Sequence, residues 1–333
     1  MLWHAHTIAC IILKERDKIS MDNRYMPEGS LIGTEQNREV FSSRLSLYRA
    51  IEERTVAEGK AFLCDRDMNL HVSTPIGNGI IPKEEIAYGE DGVPAKDIAV
   101  ITKVGKPVSF VIKGYDGRTL LLSRREAQKR CYEEYVSRLL PGDVRQARVT
   151  HLEPFGAFLD VGCGYPALMS VDSISVSRIS HPSDRLSEGD LIRCAIRSID
   201  RQTRRVFASQ RELYGTWEEN ASRFSPGQTV RGIIRSVEPY GIFVELAPNL
   251  AGLAEIKPPF DPESDPVGRF ASVYIKSILP QRMKIKLVLI EVLERASFPP
   301  EAEYFVREET DHIDVWRYSP EGAAKSVLTD FGK

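Results

Sequence analysis

Little in this 333-residue chain marks a membrane protein, a secreted disulfide scaffold or a polycation. No apolar run reaches the ~18 residues that a membrane-spanning helix needs, which excludes a helical transmembrane protein. The five cysteines, Cys10, Cys64, Cys131, Cys163 and Cys194, form no CxxC pair and have no histidine at metal spacing. Neither a zinc site nor a disulfide framework is expected; the thiols read as small packing residues in a reducing, cytoplasmic setting. Lys and Arg number 45 against 47 Asp and Glu, a formal charge of −2, so any affinity for a polyanion has to come from local patches. His71, His151 and His181 are scattered, and Asp160 and Asp172 are too dispersed for a metal centre. There is no Gly-rich phosphate loop, no HExxH and no Gly-x-Ser-x-Gly. No catalytic residue, metal or cofactor is therefore expected, and the chain does not read as an enzyme.

What the chain does have is a repeat. Residues 141–161, PGDVRQARVTHLEPFGAFLDV, and 226–246, PGQTVRGIIRSVEPYGIFVEL, share Pro-Gly at the start and Glu-Pro-aromatic-Gly twelve residues later, offset by 85 in both cases. Within each copy the apolar residues alternate at a period of two, the mark of half-buried strands. Strands are expected near 144–152, 157–161, 167–171, 191–199 and 205–209, and again near 229–237, 241–246, 250–256, 272–279 and 283–289. Gly156 and Gly241 stand where a small barrel must bend. Five short strands in about 70 residues suit an OB-type barrel.

The order Pro-Gly-x-x-Val, aromatic-Gly-x-Phe, a turn, Ile-Asp and Arg-Val…Ser resembles the S1 RNA-binding domain, the OB-fold module named for the largest protein of the bacterial small ribosomal subunit. The match is carried by PGDV (141–144), PFGAFLDV (154–161), SEGD (187–190) and SIDRQTRRVFASQRE (198–212), and in the later copy by PGQTV, PYGIFVEL, AGLAEI and MKIKL. A more divergent copy is similar over 58–126, through EGKAFLCDRDMNLHV, GIIPKEEI, KVGKPVSFVI and GRTLLLSRRE, but lacks the aromatic-Gly-x-Phe motif and has Asn69, Leu70 and His71 near that place. The fold expected is mainly β: three tandem S1-like five-stranded OB barrels at 58–126, 141–212 and 226–294. Helical segments at 35–57, 127–140 and 213–225 precede or join them. Residues 295–333, with Trp316 and Tyr318 as packing residues, are a C-terminal extension and a candidate hairpin on the last barrel. Residues 1–34 read as disordered or as an extension from a misplaced start codon, with Met21 opening a polar segment.

The resemblance implies single-stranded RNA bound on one barrel face by stacked aromatics and nearby cations. Phe155 and Phe158, and Tyr240 and Phe243, occupy the family's aromatic positions. Spacing alone leaves a core role open, since residues i and i+3 of an ideal strand face opposite ways unless glycine bulges the chain. The family's strand-three histidine is replaced by Ser170 and by Glu255, which would repel a phosphate. Its Asp and Arg survive as Asp200 and Arg205, but become Leu279 and Lys284 in the last copy. Residues 141–214 carry ten Arg and no Lys against nine acids; Arg193 and Arg197, four apart, are expected on one face. The partners implied are single-stranded RNA, messenger RNA above all, and the small ribosomal subunit. A protein-interaction scaffold and an accessory subunit of RNA degradation are the alternatives.

Overall fold

The computed structural model describes residues 23–89, 95–255, 266–295 and 303–332. It contains three closed five-stranded barrels. The first is built from β1 (Val56–Cys64), β2 (Leu70–Thr74), β3 (Gly77–Ile81), β4 (Pro107–Tyr115) and β5 (Leu120–Ser123). The second has β6 (Val144–Glu153), β7 (Gly156–Asp160), β8 (Pro166–Ser170), β9 (Leu191–Asp200) and β10 (Arg205–Ser209). The third has β11 (Thr229–Glu238), β12 (Gly241–Ala247), β13 (Leu250–Glu255), β14 (Arg269–Leu279) and β15 (Lys284–Arg295). In all three the spatial order is first, second, third, fifth, fourth strand, and the third and fifth pair in parallel. The mainly β reading, with three tandem OB-like barrels, holds.

Alternation explains the cores. Ala61, Leu70, Val72, Phe110, Ile112 and Leu122 fill barrel one, and Ile234, Ile242, Val244, Val273, Ile275 and Leu287 fill barrel three, all essentially without solvent exposure. The helical segments are shorter than 35–57, 127–140 and 213–225 suggest, because polar caps stop and restart them. Ser43 caps Arg44–Glu52 through the Ser46 N–H, Ser123 caps Arg124–Glu134 through the Glu126 N–H, and Thr216 forms a capping box with Glu219 on Trp217–Ala221.

By packing, the chain divides into two units. One holds the described residues as far as Leu139 together with 146–148 and 160–166. Residues 1–22, with the start-codon expectation, lie outside the described residues. Residues 23–34, however, are part of the fold rather than disordered. Tyr25 and Leu31 are buried, and Glu58 accepts the N–H groups of Gly29, Leu31 and Ile32. Glu28 is the centre of a buried ionic cluster. Arg124 forks onto its carboxylate at 2.6 and 3.1 Å, Lys103 Nζ lies at 3.1 Å, and the Glu28 N–H donates to Asp160 at 2.6 Å. Burial pushes the Glu28 carboxyl up, but Arg124 and Lys103 outweigh it and hold it below the usual carboxylate range, whereas burial and then the Glu28 charge push Asp160 the other way. Among the described cysteines, Cys131, Cys163 and Cys194 are fully buried.

The second unit holds the rest of barrel two, barrel three and the C-terminal segment. Barrels two and three meet at the turn before β13, where buried Asn249 accepts from the Val176 N–H at 3.0 Å and donates to the Arg211 carbonyl at 2.8 Å. Arg185 and Arg235 converge on the buried Glu245 beside it. The C-terminal segment does form a hairpin, β16 (Val315–Arg317) with β17 (Leu328–Asp330), but as a separate two-stranded sheet rather than an extension of the last barrel. Trp316 and Tyr318 are buried against barrel three, with the Tyr318 hydroxyl donating to the Asn249 carbonyl.

Removing one partner of a buried, hydrogen-bonded ion pair strands the other charge. Arg124→Met is therefore expected to cost about 3–5 kcal/mol in denaturant unfolding. An unchanged midpoint would show that the Glu28 cluster does not hold the N-terminal segment in place.

Candidate nucleic-acid interface

Between β6 and β7 the chain turns at Pro154 and Phe155, and between β11 and β12 at Pro239 and Tyr240. Each turn is followed by a glycine for which there is no alternative. A Cβ on Gly156 would lie 2.4 Å from the Met169 carbonyl oxygen, and one on Gly241, at φ +154°, would lie 2.7 Å from that of Ala254. The second strand thus enters the barrel pressed against the backbone of the third. This resolves the spacing question, because the first aromatic of each pair stands in the turn and not in the strand. Phe155 is 56% exposed and Tyr240 67%, while Phe158 and Phe243 are half-buried on β7 and β12. The rings meet edge to face, with centroids 6.1 Å apart at 87° in barrel two and 6.2 Å at 88° in barrel three. Such a contact is worth about 0.5–1.5 kcal/mol beyond buried area, and it fixes the outer ring with a face free to stack.

Several other expected site residues have structural occupations. The Arg193 guanidinium donates to the carbonyls of Val306, Arg307 and Thr310 at 2.8–3.0 Å and lies over the Tyr304 ring, so it fastens the C-terminal segment to β9. Arg197 stays exposed and donates instead to Ser173 Oγ at 2.9 Å. Ser170 Oγ lies 2.9 Å from the same Ser173 hydroxyl, so Ser170 and Arg197 are linked through it. Asp200 accepts from the Gln202 and Thr203 N–H groups and from the Thr203 hydroxyl; that hydroxyl above all holds its carboxyl below the usual range. Its carboxylate builds the β9–β10 turn, and the exposed Arg205 is its cross-strand partner. Lys284 is exposed opposite Leu279. Of the ten arginines in barrel two, Arg145, Arg148, Arg185, Arg193 and Arg211 all donate to backbone carbonyls, so the arginine count overstates the charge available to a ligand.

Barrel one lacks the motif but not the position. The ladder pairs Ala61 with Val72 and Leu63 with His71, as barrel three pairs Ile234 with Val244 and Ser236 with Phe243. His71 therefore takes the place of Phe243. Its Nε2 lies 2.9 Å from Asp65 Oδ2, and Phe62, 46% exposed, lies 6.1 Å from its ring. Hydrogen bonds from His71 and then from the Asn69 backbone hold the Asp65 carboxyl down at about 2. Sequence pattern hid this correspondence because residues 65–69 lengthen the turn that Pro239 and Tyr240 make alone.

Arg193→Ala is expected to cost about 2 kcal/mol of stability, since charged hydrogen bonds contribute about 1.5–3 kcal/mol each and water replaces part of the loss. RNA affinity should stay within twofold of wild type. A large affinity loss with unchanged stability would place Arg193 at the ligand after all.

Residues 139–211 match the family model of the S1 RNA binding domain. The small ribosomal subunit protein bS1 of Leuconostoc lactis is 34% identical over 142 residues, covering 41% of this chain and 33% of that protein. The bS1 homolog of Bacillus subtilis is 30% identical over 161 residues, 46% of this chain and 41% of that protein. The homolog of Bacillus cereus is 28% identical over 228 residues, 65% of this chain and 55% of that protein. The chain thus spans between a third and just over half of the length of these relatives. With three barrels of one topology, a family match on the central one and these relatives, the chain carries an S1 RNA binding domain at 139–211 and is similar in its tandem barrels to ribosomal protein S1.

Proposed function

We propose that this protein binds single-stranded RNA without catalysis and with little sequence preference, and that it acts in translation, on messenger RNA and at the small ribosomal subunit. The observation that carries the reading is the duplicated pair, Phe155 with Phe158 and Tyr240 with Phe243, set at nearly the same distance and angle with the outer ring exposed. Stacking tolerates every base, so weak sequence preference follows from the chemistry. Arg197, Arg205 and Lys284 supply exposed cations on the outer surface of the same barrels, and Ser170, on the strand next to the one that carries Phe158, a hydroxyl. Tethering several weak sites in one chain raises avidity, which gives the tandem arrangement its use. The ribosomal partner rests on the relatives' being small ribosomal subunit proteins. No helix among the described residues is long and apolar enough to cross a membrane, and a cytoplasmic location fits that role.

The test is binding of a fluorescent single-stranded RNA across a salt series. Affinity should fall with a log–log slope of about −0.7 for each phosphate neutralised. Phe155→Ala/Phe158→Ala should lose at least ~1 kcal/mol, and Tyr240→Ala/Phe243→Ala a similar amount, because stacking contributes about 1–3 kcal/mol per base. Absence of any salt-dependent binding by wild type would overturn the reading in favour of a protein-interaction scaffold.

A further inference from the structure

The three barrels share a feature that their sequences show only once the ladders are aligned. In barrel one Ile112 pairs with Leu122 and Gly114 with Leu121, so Lys113 has no cross-strand partner. In barrel two Ile196 pairs with Ala208 and Ser198 with Phe207, which leaves out Arg197. In barrel three Ile275 pairs with Leu287 and Ser277 with Lys286, which leaves out Lys276. Each fourth strand is thus bulged at one residue, and that residue is basic and exposed in all three. The segments read FVIKGYD, CAIRSID and VYIKSIL, with the isoleucine before the bulge buried in the core.

A bulge coils a strand as it closes a barrel, and any polar side chain could occupy its outward position. Three cations in three barrels need a further reason, and their place on the sheet supplies one. In barrel three a single cross-strand row runs from Phe243 through Leu253 and Lys286 to Ser277, the neighbour of the bulged Lys276. In barrel one the corresponding row runs from His71 through Ile80 and Leu121 to Gly114, the neighbour of Lys113. In barrel two Leu168, Phe207 and Ser198 make the same end of the row, beside Arg197. Three steps of about 4.8 Å make a path of about 14 Å around the outer surface of the closed barrel from the ring position to the bulge.

We propose that Lys113, Arg197 and Lys276 are equivalent phosphate contacts, one per barrel, at the far end of the row that carries the ring on the second strand. A strand of RNA stacked on that ring passes its backbone over the bulge. The bulge frees the side chain from a cross-strand neighbour and turns it outward. This rests on the RNA-binding reading and extends it to barrel one, which has no aromatic-Gly-x-Phe motif. The three contacts are unequal. Arg197 is oriented by Ser173 and offers a planar fork, whereas Lys276 Nζ lies 3.7 Å from the Glu255 carboxylate, which competes with a phosphate. Arg197 should matter most and Lys276 least.

The experiment is the salt series on the full chain with Lys113→Gln, Arg197→Gln, Lys276→Gln and the triple variant, using a uridine-rich single strand long enough to reach all barrels. Loss of Arg197 should reduce the magnitude of the log–log slope by about 0.7, loss of Lys113 by less and of Lys276 by least, and the triple by up to about 2. Thermal midpoints should not move, Arg197→Lys should keep the slope, and Lys129→Gln on the helix Arg124–Glu134 should leave it unchanged. A triple variant with the wild-type slope, alongside a Phe155→Ala/Phe158→Ala variant that still loses affinity, would overturn this inference and leave the stacking reading standing. An equal fall on Lys129→Gln would reduce the effect to bulk charge and overturn it too. Wild type that does not bind would overturn both.

Discussion

The interface geometry depends on a close approach of two backbones. At Gly156 and Gly241 the second strand of a barrel comes so near the carbonyl of the third that a single added carbon would collide with it. Because the strand starts there, the residue before it is left in the turn, at the rim of the barrel, where a large ring has solvent on one side. The ring two residues beyond the glycine lies on the strand and meets the outer one edge to face. Closing the sheet and presenting the rings are one packing event. That is why the same distance and angle recur in two barrels whose cores share little beyond alternation.

Charge is used in two ways. Much of it holds the fold: Glu28 between Arg124 and Lys103, Glu245 between Arg185 and Arg235, and Arg193 on three carbonyls. Such groups are engaged in contacts that hold the fold, so they cannot also serve a phosphate without breaking those contacts. What is left for a ligand is a short set of exposed cations. Their positions are decided by where the strands bulge and turn rather than by the composition of the chain. A net charge near zero is therefore compatible with a polyanion-binding surface.

The period-two pattern revealed the strands of barrel two and the first three of barrel three to within a residue, since inward positions are apolar wherever the barrel is filled, but β14 starts three residues before the expected 272 and β15 runs six residues past the expected 289. The aromatic-Gly-x-Phe motif was equally legible, because steric need ties the glycine to the rings. Other features could not be read from local pattern. Arg193 finds its partners more than 110 residues away, and nothing near it in sequence distinguishes it from Arg197. Residues 23–34 carry no periodicity because they are tied down by carboxylates accepting backbone N–H groups, an interaction that leaves no apolar signature. The correspondence of His71 with Phe243 was masked by a longer turn, and the bulged cations by a spacing that becomes meaningful only when ladders are compared.

The central claim is that the rings beside Gly156 and Gly241 contact the bases of a single strand. It is tested most directly by photocrosslinking an RNA that carries 4-thiouridine, then locating the attached nucleotides by mass spectrometry. The account predicts adducts on Phe155 or Phe158 and on Tyr240 or Phe243. Adducts confined to the C-terminal segment and the joining helices, with none on residues 154–160 or 239–245, would contradict it.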